Sequence, residues 1–317
     1  MADQQQQSTK TVWVAIAANA TVAIAKGGAG LLSGSSALLA EAAHSIADTT
    51  NQGLLMVSLK RSDRPPDEEH PFGYGKERFF WVLLAAVFMF IAGGVFGILE
   101  GLYRIIRGSG EEGGFVWSYA ALGFAALAEG TSWVRALRQS RAEAREAGLP
   151  LVRYIRVSKE PAVKTVASED TAALIGIVVA FAGVGLHQLT GNGVWDAGAA
   201  IVIGVMLCVV GLLLARDTKG LLIGESARPE ERERLRETIL SHDGVEDVIE
   251  LLTMYVGPQN LLVAARIDLR DDVTGDQVEE VSTQIDSDLR DAMPDVKQVF
   301  LDATPGRSED RAVTSGG

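Results

Sequence analysis

The sequence contains almost no cysteine. Cys208 is the single cysteine in 317 residues, which excludes a disulfide framework and a cysteine-based metal site. The amino-terminal segment MADQQQQSTK also lacks a cationic run, and no small-residue cleavage site follows a short apolar core. A cleavable signal peptide is therefore not expected, and the first apolar segment is predicted to be retained as a membrane span.

Net charge is absent from the first two thirds of the chain. Residues 1–224 contain 19 acidic and 19 basic residues, whereas residues 225–311 contain 22 acidic and 10 basic residues and account for the formal net charge of -12. This split is typical of a membrane region followed by an acidic soluble domain. A soluble domain this acidic is not expected to bind nucleic acid.

Six apolar segments precede Glu225, and each is close to the roughly 20 residues that a helix needs to cross a bilayer. Glycine and alanine are frequent in several of them, as in VLLAAVFMFIAGGVFGIL, which is typical of transmembrane helices. The sequence therefore predicts an α-helical membrane protein with six transmembrane helices in a domain of residues 11–221, after a cytoplasmic tail of residues 1–10. The approximate segment bounds are 11–33, 37–59, 79–106, 115–138, 162–187 and 194–215.

The distribution of Lys and Arg predicts which side of the membrane each loop faces, because cytoplasmic loops are enriched in both. Cations are concentrated after the second and fourth segments, whereas the alternate loops LSGSS and LTGNGVW contain none. Both termini are therefore predicted to be cytoplasmic. The cations of the two rich loops are Lys60, Arg61, Arg64, Lys76, Arg78, Arg138, Arg141, Arg145, Arg153, Arg156 and Lys159.

The region after the sixth segment predicts a small α+β domain over residues 222–304. Helical and strand patterns alternate in the order α-β-β-α-β, and Thr274 with Gln277 three residues later is typical of a helix start. Residues 305–317 are predicted to be disordered. The segments that carry the pattern are RPEERERLRETILSH, VEDVIELLTMYV, QNLLVAARIDL, TGDQVEEVSTQIDSDLRDAM and DVKQVFL.

Polar residues interrupt the second apolar segment, in the stretch EAAHSIADTTNQGLLMVSL. His44 and Asp48 are four residues apart, and Asn51 is three further on, so all three lie on one face of a helix. An ionised Asp inside a span costs about 2.5 to 3.5 kcal/mol on insertion scales, and such residues usually have a function. The alternative is a set of interhelical hydrogen bonds that only holds the bundle together.

A second acidic pair lies about two turns inside the fifth segment. No Lys or Arg occurs in the apolar run that follows Glu169 and Asp170. Together with His44 and Asp48, these carboxylates supply four nitrogen and oxygen ligands, a set that suits tetrahedral zinc and is tolerated by manganese, cobalt or iron(II). The sequence therefore predicts a transition-metal site between the second and fifth helices.

Other polar residues in the spans give weaker indications. Lys26 in the first segment and Glu129 in the fourth either snorkel toward the interface or pair with other groups, and nothing local decides between the two. His187 and Asp196 are expected to be solvated at the outer end of a hairpin.

The combined pattern resembles the cation diffusion facilitator family of divalent-metal transporters. The loop HPFGYGKER, residues 70–78, is similar to the family's signature after the second span. AEAAHSIADTTNQGLL and ASEDTAALIG are similar to the branch that contains the mammalian zinc transporter 9 and its bacterial relatives. The resemblance covers about residues 11–304.

The resemblance implies a ligand set by position. Members are usually homodimers that exchange cytoplasmic metal for protons by alternating access, with one site per protomer between spans two and five. His44 and Asp48 match the paired ligands of span two, and Asp170 matches the aspartate of span five. Many members have His or Asp where this chain has Val166, so Glu169 is interpreted as the substitute ligand, or alternatively as a gating or proton-linked carboxylate.

Two accessory metal sites of some relatives are not expected to be complete. Asp67 and His70 match ligands of a loop site, but Tyr74 replaces the next expected His, so a weak or absent site is predicted. The cytoplasmic domain lacks the family's regulatory histidine cluster and is predicted to be a ferredoxin-like dimerisation module. The replaced positions are Ile249, Ala265 and Phe300.

The function that the resemblance implies is proton-coupled export of a divalent transition metal, with zinc favoured, across the plasma membrane. Neither enzymatic activity nor a bound cofactor is expected, since a metalloenzyme would be expected to show more ligands and substrate-sized polar features. The alternative is a membrane-anchored accessory or scaffold protein whose acidic domain recruits partners without transport.

Overall fold

The structure is a computed structural model that describes residues 2–108, 114–157 and 161–304. The chain divides into two compact units. The first comprises Met1–Asp63 and Glu77–Lys219, and the second comprises Arg64–Lys76 and Gly220–Gly317. The predicted disorder of residues 305–317 falls outside the described residues.

Long helices form the first unit. Five of the six predicted apolar segments each lie in one α-helix, and the third runs through α3, a short π-helix and α4. The first helix begins at Ala2, well before the predicted start at residue 11. The core of the first unit is formed by fully buried side chains such as Leu38, Leu122 and Ile203. The helices are α1 Ala2–Ser33, α2 Ser36–Ser62, α3 Glu77–Phe88, α4 Phe96–Arg107, α5 Phe115–Glu146, α6 Leu151–Val157, α7 Pro161–Thr190 and α8 Val194–Ile223.

Within the described residues, three helices are long and apolar enough to cross a membrane by length and composition. They are Glu77–Arg107, Ser168–Thr190 and Val194–Ile223, which correspond to the third, fifth and sixth predicted segments. Charged side chains, among them Lys26, Glu41 and Glu129, occur in the helices of the other predicted segments and lower their hydropathy. Six spans therefore stay a prediction.

Small residues bring α8 close to the helix Glu77–Arg107. A Cβ atom added at Gly204 would lie 2.6 Å from the Gly94 carbonyl oxygen and 2.7 Å from the Ile98 nitrogen. Those distances are too short for any side chain, so glycine is required where the two backbones meet.

The helix Glu77–Arg107 changes its hydrogen-bonding pattern in the middle. Met89–Val95 is a seven-residue π-helix between α3 and α4. A Cβ atom added at Gly93 in this segment would lie 4.0 Å from the Cα atom of His44, so the segment packs against α2 at that residue. π segments are rare and frequently occur at functional sites. The sequence did not predict this π-helix. The segment is apolar on all sides, so it has no alternation of apolar and polar residues in which an extra residue would show as a shift.

The amino terminus of α2 is held by a carboxylate from α8. Asp196 Oδ1 accepts a hydrogen bond from Ser35 Oγ at 2.6 Å, and Oδ2 accepts bonds from the backbone nitrogens of Ser36 at 2.5 Å and Ala37 at 3.3 Å. The prediction that Asp196 is solvated was wrong, and so was the same prediction for His187, since both are buried. The unpaired N–H groups of a first helical turn attract an anion, which explains the position of Asp196.

Up to residue 304, where the described part of the chain ends, the second unit contains a three-stranded sheet with two helices. β1 pairs antiparallel with β2, and β2 pairs parallel with β3. Alternate residues of β2 from Leu261 to Ile267 are buried, as the period of a strand requires. The elements are α9 Pro229–Leu240, β1 Val245–Gly257, β2 Asn260–Leu269, α10 Gly275–Ala292 and β3 Val296–Ala303. The predicted order α-β-β-α-β is confirmed, and the Thr274 nitrogen donates to Gln277 Oε1 at 2.8 Å as the helix-start pattern indicated.

The loop Arg64–Lys76 belongs to the second unit, which the sequence did not predict. A Cβ atom added at Gly75 would lie 2.5 Å from the Val256 carbonyl oxygen in β1. The Phe72 ring meets the Phe300 ring of β3 edge to face, with ring centroids 6.3 Å apart. The loop therefore lies directly against the sheet.

The residues proposed for a loop metal site bond to one another. Tyr74 Oη donates to Asp67 Oδ2 at 2.7 Å, and the His70 backbone nitrogen donates to Asp67 Oδ1 at 2.8 Å. These hydrogen bonds, led by the one from Tyr74, hold the pKa of Asp67 below its ordinary value because they stabilise the charged carboxylate. Tyr74 thus supplies a hydrogen-bond donor where the family pattern has a metal ligand. A weak or absent loop site remains the expectation.

Candidate metal-transport site

α2 places two predicted ligands one turn apart. His44 Nε2 lies 3.5 Å from Asp48 Oδ2, which is longer than an ordinary hydrogen bond. His44 is fully buried, and neither ring nitrogen has a hydrogen-bond partner among the described residues. Buried polar groups are normally hydrogen-bonded, so a buried imidazole without a hydrogen bond is available to bind a cation.

Asp170 on α7 lines the same small cavity as Asp48 on α2. The cavity has a volume of about 20 Å³, and Ser45 and Glu129 also line it. Asp48 Oδ1 and Asp170 Oδ2 are buried and have no hydrogen-bond partner in the described part of the chain. A cavity needs a volume of roughly 10 to 15 Å³ to hold one water molecule. This cavity is therefore large enough for one small cation between the carboxylates.

Glu169 makes a different contact from its neighbour Asp170. Glu169 Oε2 accepts a hydrogen bond from Asn51 Nδ2 at 2.5 Å, and the residue is only 7% exposed. Adjacent helical residues point about 100° apart, which explains why the two acidic side chains have different partners. Asn51, which the sequence left undecided, is therefore a hydrogen-bond partner of a predicted ligand.

The four predicted ligands are not gathered around one point. The structure brings Asp48 and Asp170 to one cavity and places His44 beside Asp48, whereas Glu169 bonds to Asn51. Across the ranges that the structure describes, no three His, Cys, Asp or Glu side chains are close enough to hold a metal ion together. The ligand set stays a prediction.

A buried lysine lies beside this cavity. Lys26 Nζ of α1 donates to Glu41 Oε2 at 2.8 Å, to Glu129 Oε1 at 2.6 Å and to Ser45 Oγ at 3.0 Å. Lys26 and Glu41 are fully buried, and the Glu129 side chain is 14% exposed. Of the two alternatives that the sequence left open for Lys26 and Glu129, pairing is the one observed. The cluster therefore connects α1, α2 and α5 through one ammonium group.

Sequence reasoning did not single out Glu41. The available signal was Lys26 itself, because a lysine inside a span requires an acidic partner from another helix. Glu41 lies one turn before Ser45 in α2, and both residues contact the same ammonium group. A lysine inside a predicted span therefore predicts an acidic residue within a neighbouring helix, as Glu41 is here.

Comparison with known proteins decides the family. The chain matches the model of the cation efflux transmembrane domain over residues 12–223, and the model of the cation efflux protein cytoplasmic domain over residues 227–305. The chain belongs to the cation efflux family. The resemblance to the cation diffusion facilitator family is confirmed, and this cation efflux protein has a transmembrane domain followed by a cytoplasmic domain with a small sheet.

Relatives of this cation efflux protein include two whose names state the metal that they transport. The mouse (Mus musculus) mitochondrial proton-coupled zinc antiporter SLC30A9 is 30% identical over 259 residues, which are 82% of this chain and 46% of that protein. The chain thus matches less than half the length of the mouse relative. The manganese efflux system protein MneP of Bacillus subtilis is 26% identical over 313 residues, 96% of this chain and 98% of that protein. A solved structure of the C-terminal domain of MamM is 20% identical, with a TM-score of 0.24, and covers 25% of this chain and 100% of that chain.

Proposed function

We propose that this protein exports a divalent transition-metal cation across a membrane in exchange for protons, and that the ion binds between α2 and α7. The observation that carries the proposal is the cavity shared by Asp48 and Asp170, with the buried imidazole of His44, which makes no hydrogen bond to a described residue, next to Asp48. Membership of the cation efflux family supplies the class of activity.

The chemistry of the ligands explains how protons drive release. His44, Asp48 and Asp170 bind a metal ion only in their deprotonated forms, so protons that reach the site from the far side compete with the metal. Imidazole is suited to this exchange because it titrates near pH 6.5. If the site is open to water on only one side of the membrane at a time, this competition is sufficient to couple metal export to proton entry.

The proposed arrangement has six transmembrane helices and cytoplasmic termini, in the plasma membrane. The Lys and Arg content of the loops supports this orientation. We further propose a homodimer joined through the cytoplasmic domain, since the family pattern implies dimers and the sheet lacks the regulatory histidines of some relatives.

A flux assay tests the function directly. Proteoliposomes that contain a zinc-sensitive dye and carry a pH gradient are expected to accumulate zinc, and collapsing the gradient is expected to abolish the accumulation. Empty liposomes are the control. Absence of any metal movement in well-folded protein would favour the accessory or scaffold alternative.

Zinc is the favoured substrate, with manganese, cobalt and iron(II) as competitors. The relatives include a protein named for zinc and another named for manganese, and the nitrogen and oxygen ligands suit both ions. Initial rates in the same liposomes with each competing ion rank the substrates.

Glu169 is proposed as the fourth ligand, which it becomes by exchanging the amide of Asn51 for the metal ion. Glu169→Gln is expected to weaken zinc binding about 10-fold or more, because even the loss of a residue that only hydrogen-bonds to a metal ligand lowers metal affinity by at least that factor. Calorimetric titration of the purified protein measures the change, and Asn51→Ala, which keeps the carboxylate, is the comparison. Unchanged affinity with altered pH dependence would make Glu169 a proton-linked group instead.

A further inference from the structure

The charge of the Lys26 cluster does not balance. One ammonium group contacts two carboxylates, Glu41 and Glu129. Buried charges are normally paired or coordinate metal ions, and a fully buried Lys26–Glu41 pair is already neutral by itself. Glu129 therefore adds a negative charge that the cluster does not need for neutrality.

The two carboxylates differ in what their second oxygen meets. Both second oxygens are buried and have no hydrogen-bond partner in the described part of the chain. Glu41 Oε1, however, is so close to α7 at Gly176 that a Cβ atom there would overlap it, and Glu41 is not among the residues that line the cavity. Glu129 lines the cavity together with Asp48 and Asp170. Its Oε2 atom is buried and has no hydrogen-bond partner among the residues described. Glu41 thus faces a helix contact, whereas Glu129 faces the proposed path of the metal ion.

Lys26 fixes this arrangement from three sides. Its ammonium group donates to one oxygen of Glu129, to Glu41 and to the hydroxyl of Ser45, which also lines the cavity. An ammonium group has three donors, and all three are used here. Lys26 thus holds Glu129 Oε1, and Oε2 is the oxygen of this carboxylate that has no hydrogen-bond partner in the described residues.

We propose that Glu129 is a further metal-binding carboxylate of the transport site, and that Lys26 is the positioning residue that holds one of its oxygens and leaves the other for the ion. The proposal rests on the transport function proposed above. It adds a ligand from α5 to a site otherwise formed by α2 and α7, and it requires these side chains to move closer together on binding the ion than they lie in the structure. A divalent cation bound there supplies the positive charge that the three cavity carboxylates require.

Glu129→Gln and Glu41→Gln form a matched pair, because each removes one negative charge from the same lysine and only the first residue lines the cavity. Zinc affinity of the full-length protein in detergent is measured by calorimetry, and the KM and maximal rate of zinc flux are measured in proteoliposomes. Glu129→Gln is expected to raise Kd and KM about 10-fold. Glu41→Gln is expected to keep the wild-type Kd.

Glu129→Asp is the second test, and it replaces the first if the Glu129→Gln protein does not fold. It keeps the charge but shortens the side chain by one methylene, so it cannot reach both Lys26 and the ion, and the same rise in Kd is expected. Wild-type Kd in both Glu129 variants, or an equal rise in Glu41→Gln, overturns the proposal. If the wild type binds zinc but moves none, the transport function fails, and the Kd values still decide the role of Glu129.

Discussion

Asp48→Asn is expected to reduce zinc flux by about 100-fold or more. The change keeps the size of the side chain but removes the carboxylate that lies beside His44 and lines the cavity with Asp170. Loss of a mere partner of a metal ligand lowers affinity by about 10 to 100-fold, so loss of a ligand should have at least the larger effect. The measurement is the initial rate of dye quenching in proteoliposomes with a pH gradient, and Asp170→Asn is expected to behave in the same way.

Asp63→Asn is the matched control for this experiment. It is the same chemical change at the exposed carboxyl end of the same helix. Its flux is expected to equal that of the wild type. Wild-type flux in Asp48→Asn and Asp170→Asn together would remove the site between α2 and α7 from the mechanism, whatever the other ligands do.

Lys26→Met is expected to destabilise the protein by about 3 to 5 kcal/mol. The substitution leaves Glu41 and Glu129 without their shared cation, and breaking a buried ion pair from one side leaves an uncompensated buried charge. The measurement is the apparent unfolding temperature in detergent, followed by far-ultraviolet circular dichroism. A large decrease relative to the wild type is the expected result.

A neutral variant separates charge from packing. Lys26→Met combined with Glu41→Gln and Glu129→Gln removes all three charges at nearly constant volume, and replacing every member of a buried ion pair is often neutral for stability. Most of the lost stability is therefore expected to return. Equal instability of the single and triple variants would show that packing of the lysine stem, and not its charge, holds α1, α2 and α5 together.

Local pattern was sufficient to predict element types and the candidate helices. The alternation from Leu261 to Ile267 gave a strand, the Thr274 helix start gave α10, and the four-residue spacing of His44 and Asp48 gave one face of α2. Each of these three predictions depends on residues that are close together in the sequence. Periodicity reports such relations directly.

Relations between distant residues could not be predicted in the same way. Lys26 and Glu129 are 103 positions apart, and Ser35 and Asp196 are 161 apart. No local period connects such partners, and their pairing depends on which helices pack together. Asp196 was expected to be solvated because it lies at the outer end of a hairpin, but its carboxylate accepts hydrogen bonds there from the first N–H groups of α2.

The π-helix Met89–Val95 changes how the third segment must be drawn on a helical wheel. An α-helix advances about 100° per residue, so one extra residue in the turn shifts every later side chain by about that angle. A single wheel for Glu77–Arg107 therefore assigns the wrong face to one half of the helix. A relative with an unbroken α-helix here would be one residue shorter, and the resulting gap in an alignment would mark a change of phase and not the loss of a turn.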